Sequence, residues 1–324
     1  MCLYPRLIKN KRYQGYITKK PKKGSASAKP IDDIRKEYVA IGCGHCIECR
    51  KQKARDWQVR LSEEIKDWKY KYFVTLTFSA EALQTLCENA IELQYNVNNV
   101  ARRATRLFLE RWRKRYKKSV RHWFITELGH QGTERIHIHG ILFTEFPINN
   151  NLLSSIWQYG MTYTGDYCNE KTINYITKYV TKIDLDHKGY EADIFCSAGL
   201  GSRYFKQYGN IQKHKWNGKN TIQYYTLPNG QKIALPKYYR NKLFTQEERD
   251  QLWTDMLDRD RTYVRGIELR NISTPNGYNT YIKVLAQQQQ DNKALGYGDT
   301  STEWNEKQYK VTFDMLNGRT IQKK

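Results

Sequence analysis

The sequence predicts an α+β fold in which an antiparallel sheet is flanked by helices. Three observations carry that expectation. His122–Leu128 and Arg135–Phe143 are β-branched and aromatic runs separated by a turn-rich stretch, the pattern of a hairpin. Tyr72-Phe73-Val74-Thr75-Leu76-Thr77-Phe78 has the same composition and ends at Ser79, as a central strand does. Between and before these runs lie two segments with apolar residues at helical spacing.

The elements follow in order. The first 40 residues are basic and turn-rich, and Lys19-Lys20-Pro21-Lys22-Lys23-Gly24-Ser25 has the composition of a segment with little packed structure. From Cys46 to Trp68 the residues Ala54, Trp57, Leu61, Ile65 and Trp68 recur every three or four positions, which predicts an amphipathic helix. Val100, Ala104, Leu107, Phe108 and Trp112 predict a second, with nine Arg or Lys side chains between residues 100 and 118. Asn149–Tyr159 and Thr172–Ile183 read as shorter helices. Thr221–Thr226 and Lys232–Leu235 read as a hairpin turned at Asn229-Gly230, and Glu247–Asp258 as a helix. The polar, Gln-rich stretch from Gln287 onward is loosely specified. The expected organisation is a basic N-terminal segment (1–70) with a cysteine cluster, a core (71–200), a C-terminal extension (201–285) and a polar tail (286–324).

Composition narrows the partners. The chain has 324 residues, 39% of them hydrophobic, which is enough for one large or two ordinary cores. Lys and Arg number 55 against 33 Asp and Glu, a net charge of +22, and 13% of residues are aromatic. That balance suits a polyanion with bases available for stacking, so nucleic acid is the leading partner. The basic runs Arg102-Arg103, Arg106 and Arg111 through Lys118 would bind phosphate with a steep salt dependence, unless they are simply a solvated helix face. No run approaches the ~20 apolar residues of a membrane span, and seven cysteines in a chain this long do not form a secreted disulfide framework. A reducing cytoplasm is the expected compartment.

The chemistry concentrates at two places. In Arg135-Ile136-His137-Ile138-His139-Gly140 the period of a strand puts both imidazoles on one face, where they can share a divalent ion. Glu127, on the neighbouring strand of the expected hairpin, is the candidate third ligand, within the ~2.0–2.2 Å that ligation demands if the register is right. Two imidazoles and a carboxylate leave coordination positions open for substrate. Further on, Asn174-Tyr175-Ile176-Thr177-Lys178-Tyr179-Val180-Thr181-Lys182 spaces two tyrosines by four residues, which on a helix leaves the phenols roughly 40° apart and ~6 Å along the axis. With 25 tyrosines in the chain such a pair also arises by chance. As nucleophiles they would gain from cations that favour phenolate, and Lys178 and Lys182 are the candidates. Separately, Cys43-Gly44-His45-Cys46-Ile47-Glu48-Cys49 contains two overlapping Cys-x-x-Cys steps. Cys2 or His45 can complete a tetrahedron there around a structural Zn²⁺; an iron–sulfur cluster and free buried thiols are the alternatives.

The Phe73–Phe78 strand, the His137-Ile138-His139 strand and Tyr175-x-x-x-Tyr179-x-x-Lys182, in that order, resemble the three motifs of the HUH endonucleases that start rolling-circle replication. More narrowly, Met1-Cys2-Leu3-Tyr4-Pro5, the Cys43–Arg50 cluster, Arg121-His122-Trp123 and Leu235-Pro236-Lys237-Tyr238-Tyr239 resemble the replication initiators of gokushoviruses, single-stranded DNA phages of the Microviridae. The matches run from the first residue to about Trp253.

The resemblance implies a sheet-centred nuclease domain. In it His137 and His139 hold Mg²⁺ or Mn²⁺, and Tyr175 and Tyr179 alternate as nucleophiles that nick and rejoin one strand at a phage origin. It implies single-stranded and origin DNA as partners. No Gly-x-x-x-x-Gly-Lys-Ser/Thr loop occurs, so a host helicase is expected to unwind and a host polymerase to extend. Relaxases and single-strand transposases share the motifs, and a non-catalytic zinc-containing nucleic-acid-binding protein would share the charge and the cysteines.

Overall fold

The computed structural model describes residues 1–13, 31–88, 97–130, 134–165, 168–187 and 190–298; the lysine-rich stretch at 19–25 and the tail beyond 298 lie outside them. In chain order the elements are β1 (Arg6–Lys9), β2 (Tyr38–Ile41), α1 (Ile47–Glu64), β3 (Tyr70–Leu76), α2 (Ala80–Glu88), α3 (Val97–Tyr116), β4 (Arg121–Leu128), β5 (Ile136–Thr144), α4 (Asn150–Trp157), β6 (Thr162–Thr164) and α5 (Glu170–Thr181). There follow β7 (Ile194–Cys196), α6 (Tyr208–Lys213), β8 (Tyr224–Thr226), β9 (Lys232–Ala234), α7 (Lys237–Leu243), α8 (Gln246–Asp258), β10 (Arg261–Val264), β11 (Ile267–Arg270) and α9 (Pro275–Ala294). They form two compact units, one of Ala54–Asn210 with Tyr224–Pro236, the other of Met1–Lys53, Ile211–Gln223 and Lys237–Lys324.

The first unit is built on a five-stranded antiparallel sheet of order β6-β3-β5-β4-β7. Its central strand, β5, carries the two histidines. One sheet face presents Val74, Leu76, Phe124, Ile136, Ile138 and Leu142, and against it pack Ala104, Phe108 and Trp112 of α3 with Leu153, Ile156 and Trp157 of α4. The other presents Trp123, Ile125, Ile141 and Phe143, covered by Leu61 of α1 and by Ile173, Ile176 and Val180 of α5. Alternation along β5 therefore places His137 and His139 on the α5 side, with Ile141 and Phe143. Each fully buried aliphatic side chain contributes ~1.5–3 kcal/mol, so three on α5 fix that helix firmly against the sheet.

Two sequence details tighten this arrangement. Asn169 caps α5, accepting the Lys171 and Thr172 amides while the Thr172 hydroxyl accepts the Asn169 amide, which fixes where the helix starts. Gly140 follows the second histidine where Phe124 crosses from β4: a Cβ there would lie 2.1 Å from Phe124 Cδ1 and 2.6 Å from the Trp123 carbonyl.

The second unit holds the hairpins β1–β2 and β10–β11 together with α9. Its core joins Leu3, Tyr4, Cys46 and Ile47 to Val264, Leu269, Tyr278, Tyr281 and Leu285. Two expectations change here. The N-terminal region is not loosely packed throughout, because Leu3 is fully buried and β1 and β2 pair in register from Arg6↔Ile41 to Lys9↔Tyr38. Nor does loose structure begin at residue 286: α9 runs on to Ala294, and the wholly buried Asn292 carboxamide accepts the Ile47 amide at 2.9 Å and donates to the Tyr297 carbonyl at 3.3 Å. Among the described residues no helix is long and apolar enough to cross a membrane.

Candidate active site

β4 and β5 pair so that Glu127 stands opposite His137, and β3 and β5 so that Thr75 stands opposite His139. The Glu127 carboxylate Oε2 lies 2.9 Å from His139 Nε2 and 3.2 Å from His137 Nε2. The two imidazole rings are perpendicular, 5.0 Å apart. The remaining nitrogens have partners of their own: His139 Nδ1 lies 3.0 Å from the Thr75 hydroxyl, and His137 Nδ1 lies 3.2 Å from the Arg135 carbonyl. An Nδ1–H donated to those oxygens leaves both Nε2 lone pairs directed at the carboxylate, the arrangement a metal-binding imidazole needs. The three ligand atoms lie within 4.8 Å of one another, and an imidazole, imidazole, carboxylate set suits a divalent ion. The donor set fits the expected group.

α5 delivers the tyrosines to the same place. The Tyr179 ring stacks on His139 at 4.8 Å and 16°, and the Tyr175 and Tyr179 hydroxyls are 2.7 Å apart. The helical spacing thus brings both phenol oxygens to one point. Tyr175 is half exposed, its edge against Phe73, and Phe73 also stacks on His139. Burial, the hydrogen bond from Tyr175 and the Glu127 charge, in that order, push the Tyr179 phenol above its usual pKa. For Glu127, burial works upward, but its contacts with His137, His139 and Lys182 outweigh it and hold the carboxyl well below the usual range.

The lysines sit differently from the expectation that both support phenolate. Lys182, just past the end of α5, forms an ion pair with Glu127 Oε1, its ammonium 6.0 Å from the centroid of the Tyr179 ring. Lys178 is on the exposed side of the helix. The physical reason is charge: the most anionic neighbour is the carboxylate, not a protonated phenol.

Sequence reasoning missed Phe73 and Thr75 as neighbours of the histidines. The signal was present, since an expected β3–β5 pairing puts one strand of the motif against the other, but the register that pairs Thr75 with His139 is set by the whole sheet. It also missed a trio of His130, Asp184 and His187, in which His187 Nδ1 lies 2.8 Å from Asp184 Oδ2.

Not all of the basic helix faces solvent. The Arg111 guanidinium donates to the Ile156 and Trp157 carbonyls at 2.6 Å and to the Tyr159 hydroxyl at 3.0 Å, capping the end of α4. Arg102 is paired with Asp193, and Arg106 with Glu110. Arg113, Lys114, Lys117 and Lys118 remain exposed.

In the other unit Cys2, Cys43, Cys46 and Cys49 bring their sulfurs within 4.8 Å of one another. The structure selects Cys2 over His45 as the fourth member of this group.

The histidines, tyrosines and Glu127 all fall inside residues 71–184. That segment matches the family of replication-associated proteins of the ORF2 type. The chain is also 26% identical over 285 residues to the replication-associated protein ORF2 of Spiroplasma virus 4, covering 77% of this chain and 83% of that one. To the replication-associated protein VP4 of Bdellovibrio phage phiMH2K it is 24% identical over 234 residues, covering 64% and 69%. No solved structure matches the chain. The resemblance to phage replication initiators drawn from the motifs is therefore borne out.

Proposed function

We propose that this chain is a DNA nicking and joining enzyme that starts rolling-circle replication of a single-stranded DNA phage through a covalent tyrosine link. The observation that carries the reading is the meeting of two phenol oxygens 2.7 Å apart beside a His-His-Glu cluster, one phenol ring stacked on a histidine. Its presence in a relative of phage replication-associated proteins supports the same reading.

His137, His139 and Glu127 would hold Mg²⁺ or Mn²⁺. Once bound, the ion supplies a Lewis acid that polarises the scissile phosphate and offsets its developing charge. The chain's own groups supply the nucleophile and its placement. Tyr175 or Tyr179 attacks phosphorus through its phenol oxygen; the bond to the 3′-oxygen breaks, and the products are a 5′-phosphotyrosine and a free 3′-hydroxyl that a host polymerase can extend. The phenol proton must leave for attack to occur, and the burial that lifts the Tyr179 pKa makes this step sensitive to pH. Lys182 neutralises one oxygen of Glu127 and holds the carboxylate against the histidines. Because the two hydroxyls share one point, the second tyrosine can cut the regenerated origin while the first stays loaded. The newly freed 3′-hydroxyl then attacks the first phosphotyrosine and closes a circle. Joining needs no ATP, since the phosphotyrosine bond keeps the energy of the bond that was cut.

The test is incubation of the full chain with origin-bearing single-stranded DNA and Mn²⁺, followed by a denaturing gel. Wild type should give a protein–DNA band, and the Tyr175→Phe, Tyr179→Phe double variant none. An adduct that survives in the double variant, or no adduct in wild type with either metal, overturns the proposal.

A further inference from the structure

We infer that Cys2, Cys43, Cys46 and Cys49 hold one mononuclear Zn²⁺, and that this ion fixes the N-terminus to the start of α1 without taking part in strand cleavage. The sequence leaves zinc, an iron–sulfur cluster and free thiols open; the geometry separates them. Cys2 Sγ lies 3.9 Å from Cys46 Sγ, and Cys43 Sγ lies 4.0 Å from Cys49 Sγ. A tetrahedron with ~2.3 Å Zn–S bonds has edges of ~3.8 Å, so these separations leave room for a single ion at the centre. A cluster puts several irons and bridging sulfides between its thiolates and spreads them further than the 4.8 Å that bounds this group. A disulfide draws a sulfur pair to ~2.05 Å, and all four cysteines are free.

The backbone around the sulfurs points the same way. The amides of Tyr4 and Cys43 donate to Cys2 Sγ at 3.3 and 3.2 Å, that of Cys46 to Cys43 Sγ at 3.3 Å, and that of Leu3 to Cys46 Sγ at 3.5 Å. Four N–H groups aimed at three sulfurs favour thiolate over thiol. Gly44, at φ 90°, makes the turn that carries Cys43 round to face Cys46. Zn²⁺ binding would displace up to four thiol protons to the buffer and leave no redox-active centre. Around it Leu3, Tyr4, Cys46 and Ile47 pack on Tyr278, Tyr281 and Leu285, a small core of the size that benefits from a metal staple.

The inference does not depend on the nicking reading, and metal analysis separates the two. Full-length protein purified without added metal is analysed by mass spectrometry for zinc and iron, and its zinc K-edge absorption is recorded. The expected result is one zinc per chain with four sulfur neighbours at ~2.3 Å. A Cys43→Ser, Cys49→Ser variant should lose at least ~90% of that zinc, and the His137→Ala, His139→Ala variant should keep all of it. Should the cysteine variant not fold, a mercurial titration of wild type reports instead, releasing the zinc as the four thiols are blocked. Iron in place of zinc, nitrogen or oxygen neighbours, less than about one-tenth of a zinc per chain, or full zinc retention in the cysteine variant each overturns the inference.

Discussion

Replacing Glu127 by glutamine keeps the shape of the side chain and removes its charge at the centre of the candidate metal site. In the structure its Oε2 faces two imidazole nitrogens at 2.9 and 3.2 Å and its Oε1 faces Lys182, so this is the one anionic group that all three basic side chains share. Lys182 is nearly half exposed and can turn to water, so losing that ion pair costs little stability. The larger loss falls on metal affinity. Changing groups that merely support metal ligands costs ~10–100-fold in affinity or activity, and a direct anionic ligand sits at or beyond the top of that range. We therefore expect nicking at sub-saturating Mn²⁺ to fall at least ~100-fold in Glu127→Gln, about 2.7 kcal/mol at ~1.36 kcal/mol per decade. Raising Mn²⁺ should recover part of it. The assay is single-turnover cleavage of labelled origin single strand across a Mn²⁺ series, with DNA binding measured separately. Acid unfolding supplies a control of defined sign. The folded pKa of Glu127 is depressed below the ordinary 4.5, so its stabilisation is fully present above that value and fades as pH falls below it, and Glu127→Gln should lose that part of the acid dependence. Wild-type cleavage by Glu127→Gln at low Mn²⁺ would refute the assignment of Glu127 as a ligand.

Two further outcomes follow from the same geometry. Gly140→Ala puts a methyl where Phe124 and the Trp123 carbonyl already lie, so thermal denaturation should show a loss of ~1–3 kcal/mol with displacement of the adjacent histidine strand; an unchanged midpoint would contradict the close approach. In Tyr175→Phe, where Tyr179 alone can attack, cleavage should rise about tenfold per pH unit from pH 6 to 8, because a phenol whose pKa is raised is still mostly protonated there; a flat or falling profile would contradict the need to remove that proton.

Much of the nicking centre was legible because it rests on short-range periodicity. Period 2 along β5 placed His137 and His139 on one face, the hairpin put Glu127 opposite, and an i, i+4 step brought Tyr175 and Tyr179 together. What stayed hidden depends on contacts distant in the chain. The stacking of Phe73 on His139 needs the β3–β5 register, and the pull of Lys182 toward Glu127 rather than a phenol needs both to be placed first. In α9 the local signals were present, Thr274-Pro275 at the start and Tyr278, Tyr281 and Leu285 at helical spacing, but the glutamine run after them masked the pattern. The burial of Leu3 and Tyr4 in the first residues is likewise tertiary, supplied by α9 and β11.

The most direct measurement is to find which residue carries the DNA. Trypsin cuts after Lys171, Lys178 and Lys182, so Tyr175 and Tyr179 fall in separate peptides, 172–178 and 179–182. Wild-type protein is trapped with a suicide substrate nicked at its origin, treated with nuclease and trypsin, and analysed by mass spectrometry. The account predicts a 5′-linked nucleotide on one or both of these peptides and nowhere else. A nucleotide on any other residue, or cleaved DNA ending in a free 5′-phosphate with no protein attached, would contradict it.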